Sequence, residues 1–272
     1  MTAKQIEGNV AIIGGGKMGE AILAGLLASS VKPERVYVVE KFGERAEYLK
    51  RTYGVTLADY AEAFGAASTI VLAVKPQDIV PMLASLGNDV TAGHLLVSIA
   101  AGVTTAALQS ALPQGVPVIR AMPNTPALVG KGMTAIAEGS HVRPEHWETA
   151  EALFDAVGQV VRVEESQIDA VTAISGSGPA YFFLMVEALT EAGVHLGLPR
   201  ALAAQLASVT AVGAAAMLDA GTASPAQLRE SVTSPGGTTA AALRAFDEAG
   251  MRHAVYAAAE AAYRRSRELG AR

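Results

Sequence analysis

An α/β domain followed by an all-helical domain is what this sequence predicts, and three observations predict it. A short apolar run, Asn9-Val10-Ala11-Ile12-Ile13, passes straight into Gly14-Gly15-Gly16-Lys17-Met18-Gly19 and then into a helical pattern. Apolar runs of strand length alternate with helical patterns as far as Val163. From Glu164-Glu165-Ser166 onward the strand signals stop and the chain turns Ala-rich and helical. The expected division is therefore 1–164 and 165–272.

The elements follow in order. Residues 9–13 read as a buried strand, the glycine run as a tight loop, and 20–29 as a helix. A second strand, 36–39, ends at Glu40, about 20 residues past Gly19, where a dinucleotide site places the acid that binds a ribose. With strand, loop, helix and acid in this order, the first domain is expected to be a Rossmann-type dinucleotide fold. Further strands are expected at 69–74, 95–99, 117–121, 133–137 and 160–163, in a mostly parallel sheet covered on both faces. Ligands of such sheets lie beyond the carboxyl ends of the strands. Those ends carry Lys75-Pro76-Gln77, Ala100-Ala101-Gly102 and Met122-Pro123-Asn124-Thr125-Pro126, each either a wall for the nicotinamide half of a cofactor or a plain connection. In the second domain Pro179, Pro199, Pro225 and Pro235 stand where helices begin or end. Small side chains let helices approach closely, which points to an interlocked dimer core.

Composition removes several classes. The 272 residues contain no cysteine, so thiol nucleophiles, Cys-bearing zinc sites and disulfide frameworks are excluded. A net charge of -5 argues against a nucleic-acid partner; the run Arg264-Arg265-Ser266-Arg267 is short and reads as a solvated helix face. The start, Met1-Thr2-Ala3-Lys4-Gln5, is charged and leads into no apolar leader, so a cytoplasmic protein is expected. Uncharged stretches at 170–186 and 201–218 are too weakly apolar, or too broken, for lipid and are read as buried helices. The five histidines show no metal-ligand spacing, and no metal is expected. Ser175-Gly176-Ser177-Gly178-Pro179 lacks the frame of a nucleophile elbow and reads as a tight helix start.

The remaining signal is Ser234-Pro235-Gly236-Gly237-Thr238-Thr239. Pro and paired Gly interrupt helix formers, which implies a tight turn opening a helix at Thr238. Such a start is either a seat for a small carboxylate, with the Ser234, Thr238 and Thr239 hydroxyls as added donors, or a plain corner between helices. A nicotinamide in the first domain makes hydride transfer the default reaction. Carbonyl reduction is commonly served by a second-domain lysine as proton donor, yet no lysine follows Lys131. A substrate that arrives as a protonated imine needs no strong acid.

Together the motifs Ile13-Gly-Gly-Gly-Lys-Met-Gly19, Ala73-Val-Lys-Pro76, Ser98-Ile-Ala-Ala-Gly102, Arg120-Ala-Met-Pro-Asn-Thr-Pro126, Ser175-Gly-Ser-Gly-Pro-Ala-Tyr181 and Val232-Thr-Ser-Pro-Gly-Gly-Thr-Thr239 resemble the pyrroline-5-carboxylate reductase family over nearly the whole chain. The resemblance implies an oxidoreductase of proline biosynthesis that reduces 1-pyrroline-5-carboxylate to L-proline. It implies an interleaved homodimer, in some members gathered into larger rings such as a decamer. Thr239 would stand at the ring nitrogen as the catalytic residue. The backbone of Gly237, Thr238 and Thr239 and the Ser234 hydroxyl would hold the carboxylate, and Glu165 would line the substrate site or serve as an ordinary helix-start acid. Cofactor contacts are expected from Ile13, Gly14, Gly15, Gly16, Lys17, Met18, Glu40, Lys41, Ala73, Val74, Lys75, Pro76, Ile99, Ala100, Ala101 and Asn124. Many members prefer NADPH, whereas Glu40 would accept a free ribose 2'-hydroxyl and Lys41 and Arg45 would attract a 2'-phosphate, so NADP and NAD both stay open. Two other readings remain: reduction of the six-membered cyclic imino acid, and a non-catalytic nucleotide sensor on the same scaffold.

Overall fold

The computed structural model describes residues 6–29 and 31–270, and the charged start at 1–5 lies outside them. The first unit, which runs to Ser177 and takes in the end of the chain from Ala262, is built on an eight-stranded sheet. Its strands are β1 (Val10–Ile13), β2 (Val36–Val39), β3 (Thr56–Leu57), β4 (Thr69–Leu72), β5 (Leu95–Ser98), β6 (Val118–Met122), β7 (Gly132–Glu138) and β8 (Gly158–Arg162). They lie in the order β3-β2-β1-β4-β5-β6-β7-β8. All neighbours are parallel except β6 and β7, so the mostly parallel sheet is present. The chain between β6 and β7 holds only a 3-10 turn, Thr125–Val129, too short for a parallel crossover, and the strand returns antiparallel.

The helices of this unit are α1 (Lys17–Ala28), α2 (Gly43–Tyr53), α3 (Tyr60–Ala66), α4 (Pro76–Leu86), α5 (Thr105–Ser110), α6 (Pro144–Asp155) and α7 (Ile168–Val171). They cover two faces. Val10 and Ile12 of β1 enter one core with Ile22, Leu23 and Leu26 of α1 and Leu153 and Phe154 of α6. Ala11 and Ile13 enter the other with Phe64 of α3 and Ile79 and Leu83 of α4. That alternation is what a strand buried on both sides requires. β3, with two residues, carries too little pattern to be read from sequence.

The second unit, Gly178–Ala261, contains α8 (Gly178–His195), α9 (Arg200–Asp219), α10 (Pro225–Ser231), α11 (Thr238–Glu248) and the first part of α12 (Met251–Gly270). α9 is long and apolar enough to cross a membrane but lies largely exposed, as does α8, so the expectation that both are buried is not met within one chain. Division by packing falls at Ser177, later than the composition shift at 164–166, because α7 and the turn after it pack with the sheet. The far end of α12 also belongs to the first unit: the Ser266 hydroxyl donates to Asp169 Oδ1 at 2.6 Å. The expected interruption within 175–179 is present: a π-turn, Thr172–Gly176, closed by Ser177 N–H donating to the Thr172 carbonyl at 2.8 Å, ends in a bend at Ser177, and α8 starts at Gly178.

Candidate active site

Strand order reverses on either side of β1, between β2 and β4, and this is where a doubly wound sheet opens a crevice. A cavity of about 240 Å³ lies there, lined by Gly14, Gly16, Val39, Glu40, Lys41, Phe42, Tyr60, Ala73, Val74, Lys75, Asp78 and Met82. Gly14 has φ +107, and a Cβ on it would meet the Ala73 carbonyl oxygen at 2.6 Å, so only glycine fits. Gly16 has nothing within 4 Å of where a Cβ would stand and opens α1 with no side-chain cap. Uncapped N–H groups at the positive end of a helix, behind a loop without side chains, suit a pyrophosphate. Apolar Val39, Val74, Tyr60 and Met82 supply walls for a planar ring, and the residues present fit a dinucleotide.

The glycine loop is braced from β2 and α2. Gly15 N–H donates to Glu40 Oε2 at 2.8 Å, and Phe42 N–H donates to Glu40 Oε1 at 2.9 Å. Arg45 Nε donates to the Gly15 carbonyl at 2.7 Å while its terminal nitrogen pairs with Glu20 Oε2 at 2.5 Å. Tyr53 donates its hydroxyl to Glu20 Oε1 at 2.9 Å. Burial acts to raise the Glu20 carboxyl, but the bonds from Arg45 and Tyr53 outweigh it and leave the group below its ordinary value. Burial and the Glu20 charge push the Tyr53 hydroxyl up to about 12. Arg45, read from sequence beside Lys41 as an attractor for a 2'-phosphate, is engaged by the Gly15 carbonyl and Glu20. Lys41, two-thirds exposed with Asp78 at 4.0 Å, and Lys75 are the cations that line the cavity.

The other expected cofactor residues are not among those that line the cavity. Ile13 is buried at the end of β1, Lys17 and Met18 open α1, and Pro76 opens α4. Ile99, Ala100 and Ala101 follow β5, the neighbour of β4. Asn124 follows β6 and turns inward: its Oδ1 accepts from Met133 N–H at 2.9 Å and its Nδ2 donates to the Ser175 carbonyl at 3.1 Å. Phe42, Tyr60, Asp78 and Met82 join the lining without having been singled out in sequence, since isolated residues after a strand or on a helix carry no pattern.

Glu165 opens a short 3-10 turn after β8. Its carboxylate accepts from Thr105 N–H and the Thr105 hydroxyl, both at 2.6 Å, and from Arg120 at 3.3 Å. Arg120 is buried, and Glu165 is its ion-pair partner. Glu165 is partly exposed and lines a second cavity of about 240 Å³ with Glu138, Trp147, Arg162, Val163, Glu164 and Gln167.

In the second unit the Ser234 carbonyl accepts from Gly237 N–H at 3.0 Å across Pro235 and Gly236, the latter at φ +70, the pattern of a type II turn. α11 begins at Thr238 as expected, with Gly237 at the N-cap and no capping side chain. Gly237 N–H is engaged by the Ser234 carbonyl within the turn, and a Cβ on Gly237 would meet Ser234 Oγ at 2.9 Å. Ser234 and Thr238 are exposed and Thr239 is half-buried.

Residues 165–269 match a family model described as pyrroline-5-carboxylate reductase dimerisation, and residues 9–102 match one described as NADP oxidoreductase, coenzyme F420-dependent. A pyrroline-5-carboxylate reductase of Mycobacterium tuberculosis is 49% identical over 96% of both chains. The chain belongs to the pyrroline-5-carboxylate reductase family. Its fold matches that of the family member from Coxiella burnetii with a TM-score of 0.91, at 38% identity over 96% of this chain and 98% of that one. A Plasmodium falciparum family member solved with NADP bound gives 0.86 at 28% identity, covering 97% and 98%. The NADP oxidoreductase match covers the glycine loop, Glu40 and the Ala73-Val-Lys-Pro76 motif, and the dimerisation match covers Glu165 and the 234–239 turn.

Proposed function

We propose that this protein catalyses NAD(P)H-dependent reduction of 1-pyrroline-5-carboxylate to L-proline, the last step of proline biosynthesis. What carries the reading is that relatives bearing that name align with nearly the full chain, spanning both the glycine cradle and the 234–239 turn. Hydride from a reduced nicotinamide adds to the carbon of a protonated cyclic C=N, and the π pair moves to nitrogen to leave a neutral amine. The chain binds and orients. Thr238 and Thr239 N–H groups at the start of α11, with the Ser234 hydroxyl, hold the substrate carboxylate. The Thr239 hydroxyl, able to donate or accept, attends the ring nitrogen as its charge is lost. Glu165 enters as a carboxylate fixed by Thr105 and Arg120, adding negative potential toward the iminium.

The cofactor cavity takes a nicotinamide dinucleotide, and Glu40 keeps NADH usable by accepting a free 2'-hydroxyl. Glu40→Ser is expected to raise the NADPH-to-NADH ratio of kcat/KM about tenfold, a shift of one charge-assisted contact. Because Glu40 also braces Gly15 and Phe42, both absolute values should fall; an unchanged ratio would remove Glu40 from discrimination.

The dimerisation domain exposes Phe182, Phe183 and Leu184 on α8 and Val209 and Val212 on α9. Apolar faces of this size argue for a homodimer that interleaves these helices, with a decamer as a further assembly. A cytoplasmic location is part of the same proposal. The deciding experiment is initial-rate oxidation of NADPH and NADH with 1-pyrroline-5-carboxylate, with proline identified as product. Turnover confined to the six-membered imine would move the substrate assignment by one methylene, and nucleotide binding without turnover would replace the enzyme by a sensor.

A further inference from the structure

Both polar backbone atoms of Gly15 are held by side chains from the segment after β2: Glu40 takes the N–H and Arg45 binds the carbonyl. Arg45 is itself held on its far side. Glu20 of α1 pairs with its terminal nitrogen, Tyr53 at the end of α2 secures the other Glu20 oxygen, and the guanidinium carbon lies 5.0 Å from the Tyr48 ring. Neither Arg45, Glu20 nor Tyr53 lines the cofactor cavity, whereas Gly14, Gly16, Glu40 and Lys41 do. The Gly15 peptide thus sits between one side chain that faces the ligand and one that does not. Its position is over-determined on the protein side, because Leu49 fills the space where a Gly15 Cβ would stand.

We propose that Arg45, oriented by Glu20 and Tyr53, is the positioning residue of the glycine loop, setting affinity for the pyrophosphate common to NADH and NADPH and taking no part in 2'-phosphate recognition. This rests on the reading of the cavity as the nicotinamide-dinucleotide site. An arginine whose Nε and terminal nitrogen are both engaged holds a peptide plane at a fixed angle, which a lysine's single ammonium cannot reproduce. Tyr53 remains a donor over the working range because its hydroxyl titrates only at about 12. Recognition of a 2'-phosphate is left to Lys41 at the cavity.

The test compares NADH and NADPH binding, followed by nicotinamide fluorescence, in the wild-type protein, Arg45→Lys, Tyr53→Phe and Lys41→Ala. Steady-state KM for the imine is measured at saturating cofactor and Tm in parallel. Arg45→Lys should weaken both nucleotides about tenfold and by equal factors, with the imine KM unchanged within about twofold. Tyr53→Phe should weaken both about threefold, again equally, and reads the same device if Arg45→Lys does not fold. Lys41→Ala should weaken NADPH alone. A loss in Arg45→Lys confined to NADPH would make Arg45 a phosphate receptor, and no loss in either tether variant would reduce the network to a helix contact; both overturn the inference. A wild-type protein that binds neither nucleotide would instead overturn the reading of the cavity.

Discussion

The loop before α1 and the turn before α11 both open a helix behind glycine without a side-chain cap, yet they are held in different ways. Gly14 and Gly15 are wedged against Ala73 and Leu49 and tied by Glu40 and Arg45, residues 25 and 30 positions away in the chain. The 234–239 turn is held by its own Gly237-to-Ser234 bond, by a left-handed Gly236 and by the Thr233 hydroxyl donating to the Arg229 carbonyl at 2.6 Å. The first seat is a tertiary construction and the second a local one. Under the proposed function, the local turn would present exposed hydroxyls to a small substrate, and the tertiary loop would supply the rigidity that a long cofactor needs.

The comparison breaks most visibly at Gly14. Gly14→Ala forces a side chain into positive φ and against the Ala73 carbonyl, combining backbone strain with overpacking for about 3 kcal/mol. Affinity for both nucleotides should fall at least about 100-fold in a fluorescence titration. A smaller loss, below about fivefold, would mean that the loop can shift and is not held as a tertiary seat. Next in size is Thr239→Ala, which removes a hydroxyl from the local seat without touching its backbone. Imine kcat/KM should fall about thirtyfold, the range of one hydrogen bond to a charged group, with nucleotide affinity unchanged within about twofold. Unchanged turnover would take Thr239 out of the mechanism, and a matching loss of cofactor affinity would show that the two seats are not independent.

The same distinction decides what sequence could reveal. The type II turn and the start of α11 were legible because Pro235, Gly236 and Gly237 declare their conformations locally. So were the glycine loop, Glu40 at the end of β2 and most strand positions, which depend on short-range apolar pattern. Arg45 was visible as a cation near the ribose acid, but nothing local announces that Glu20 and the Gly15 carbonyl converge on it. The two-residue β3 and the π-turn at Thr172–Gly176 escaped for related reasons. One is too short for periodicity, and in the other the Asn124 amide takes up the Ser175 carbonyl from a distant loop. Glu165 was placed correctly after the last strand, yet its clamp by Thr105 and Arg120 is a contact across 60 and 45 residues.

The smallest expected effect concerns pH, and it also separates the seats, because the 234–239 turn contains no titratable side chain while the tether of the glycine loop contains several. Glu20 is held below its ordinary value of 4.5, as burial, which would raise it, is outweighed by Arg45 and Tyr53. A depressed carboxyl contributes stability that is complete above 4.5 and is lost as pH falls through the lower folded value. Tyr53 acts at the other limit. Its hydroxyl is raised from 10.0 to about 12, so its contribution is complete below 10 and is lost as pH rises toward 12. In urea unfolding, wild type should exceed Glu20→Gln by on the order of 1 kcal/mol at neutral pH, and the gap should close below 4.5. The gap between wild type and Tyr53→Phe should hold steady across that acidic range until Glu20 takes up its proton, then shrink with it, since the hydroxyl has no anion left to bind. Curves for wild type and Glu20→Gln that stay parallel through the acid range would mean that Glu20 is not ionised against Arg45. The Arg45 bond to the Gly15 carbonyl would then stand without an ionised Glu20 behind it, and the contrast between the two helix starts would rest on Glu40, that bond and packing.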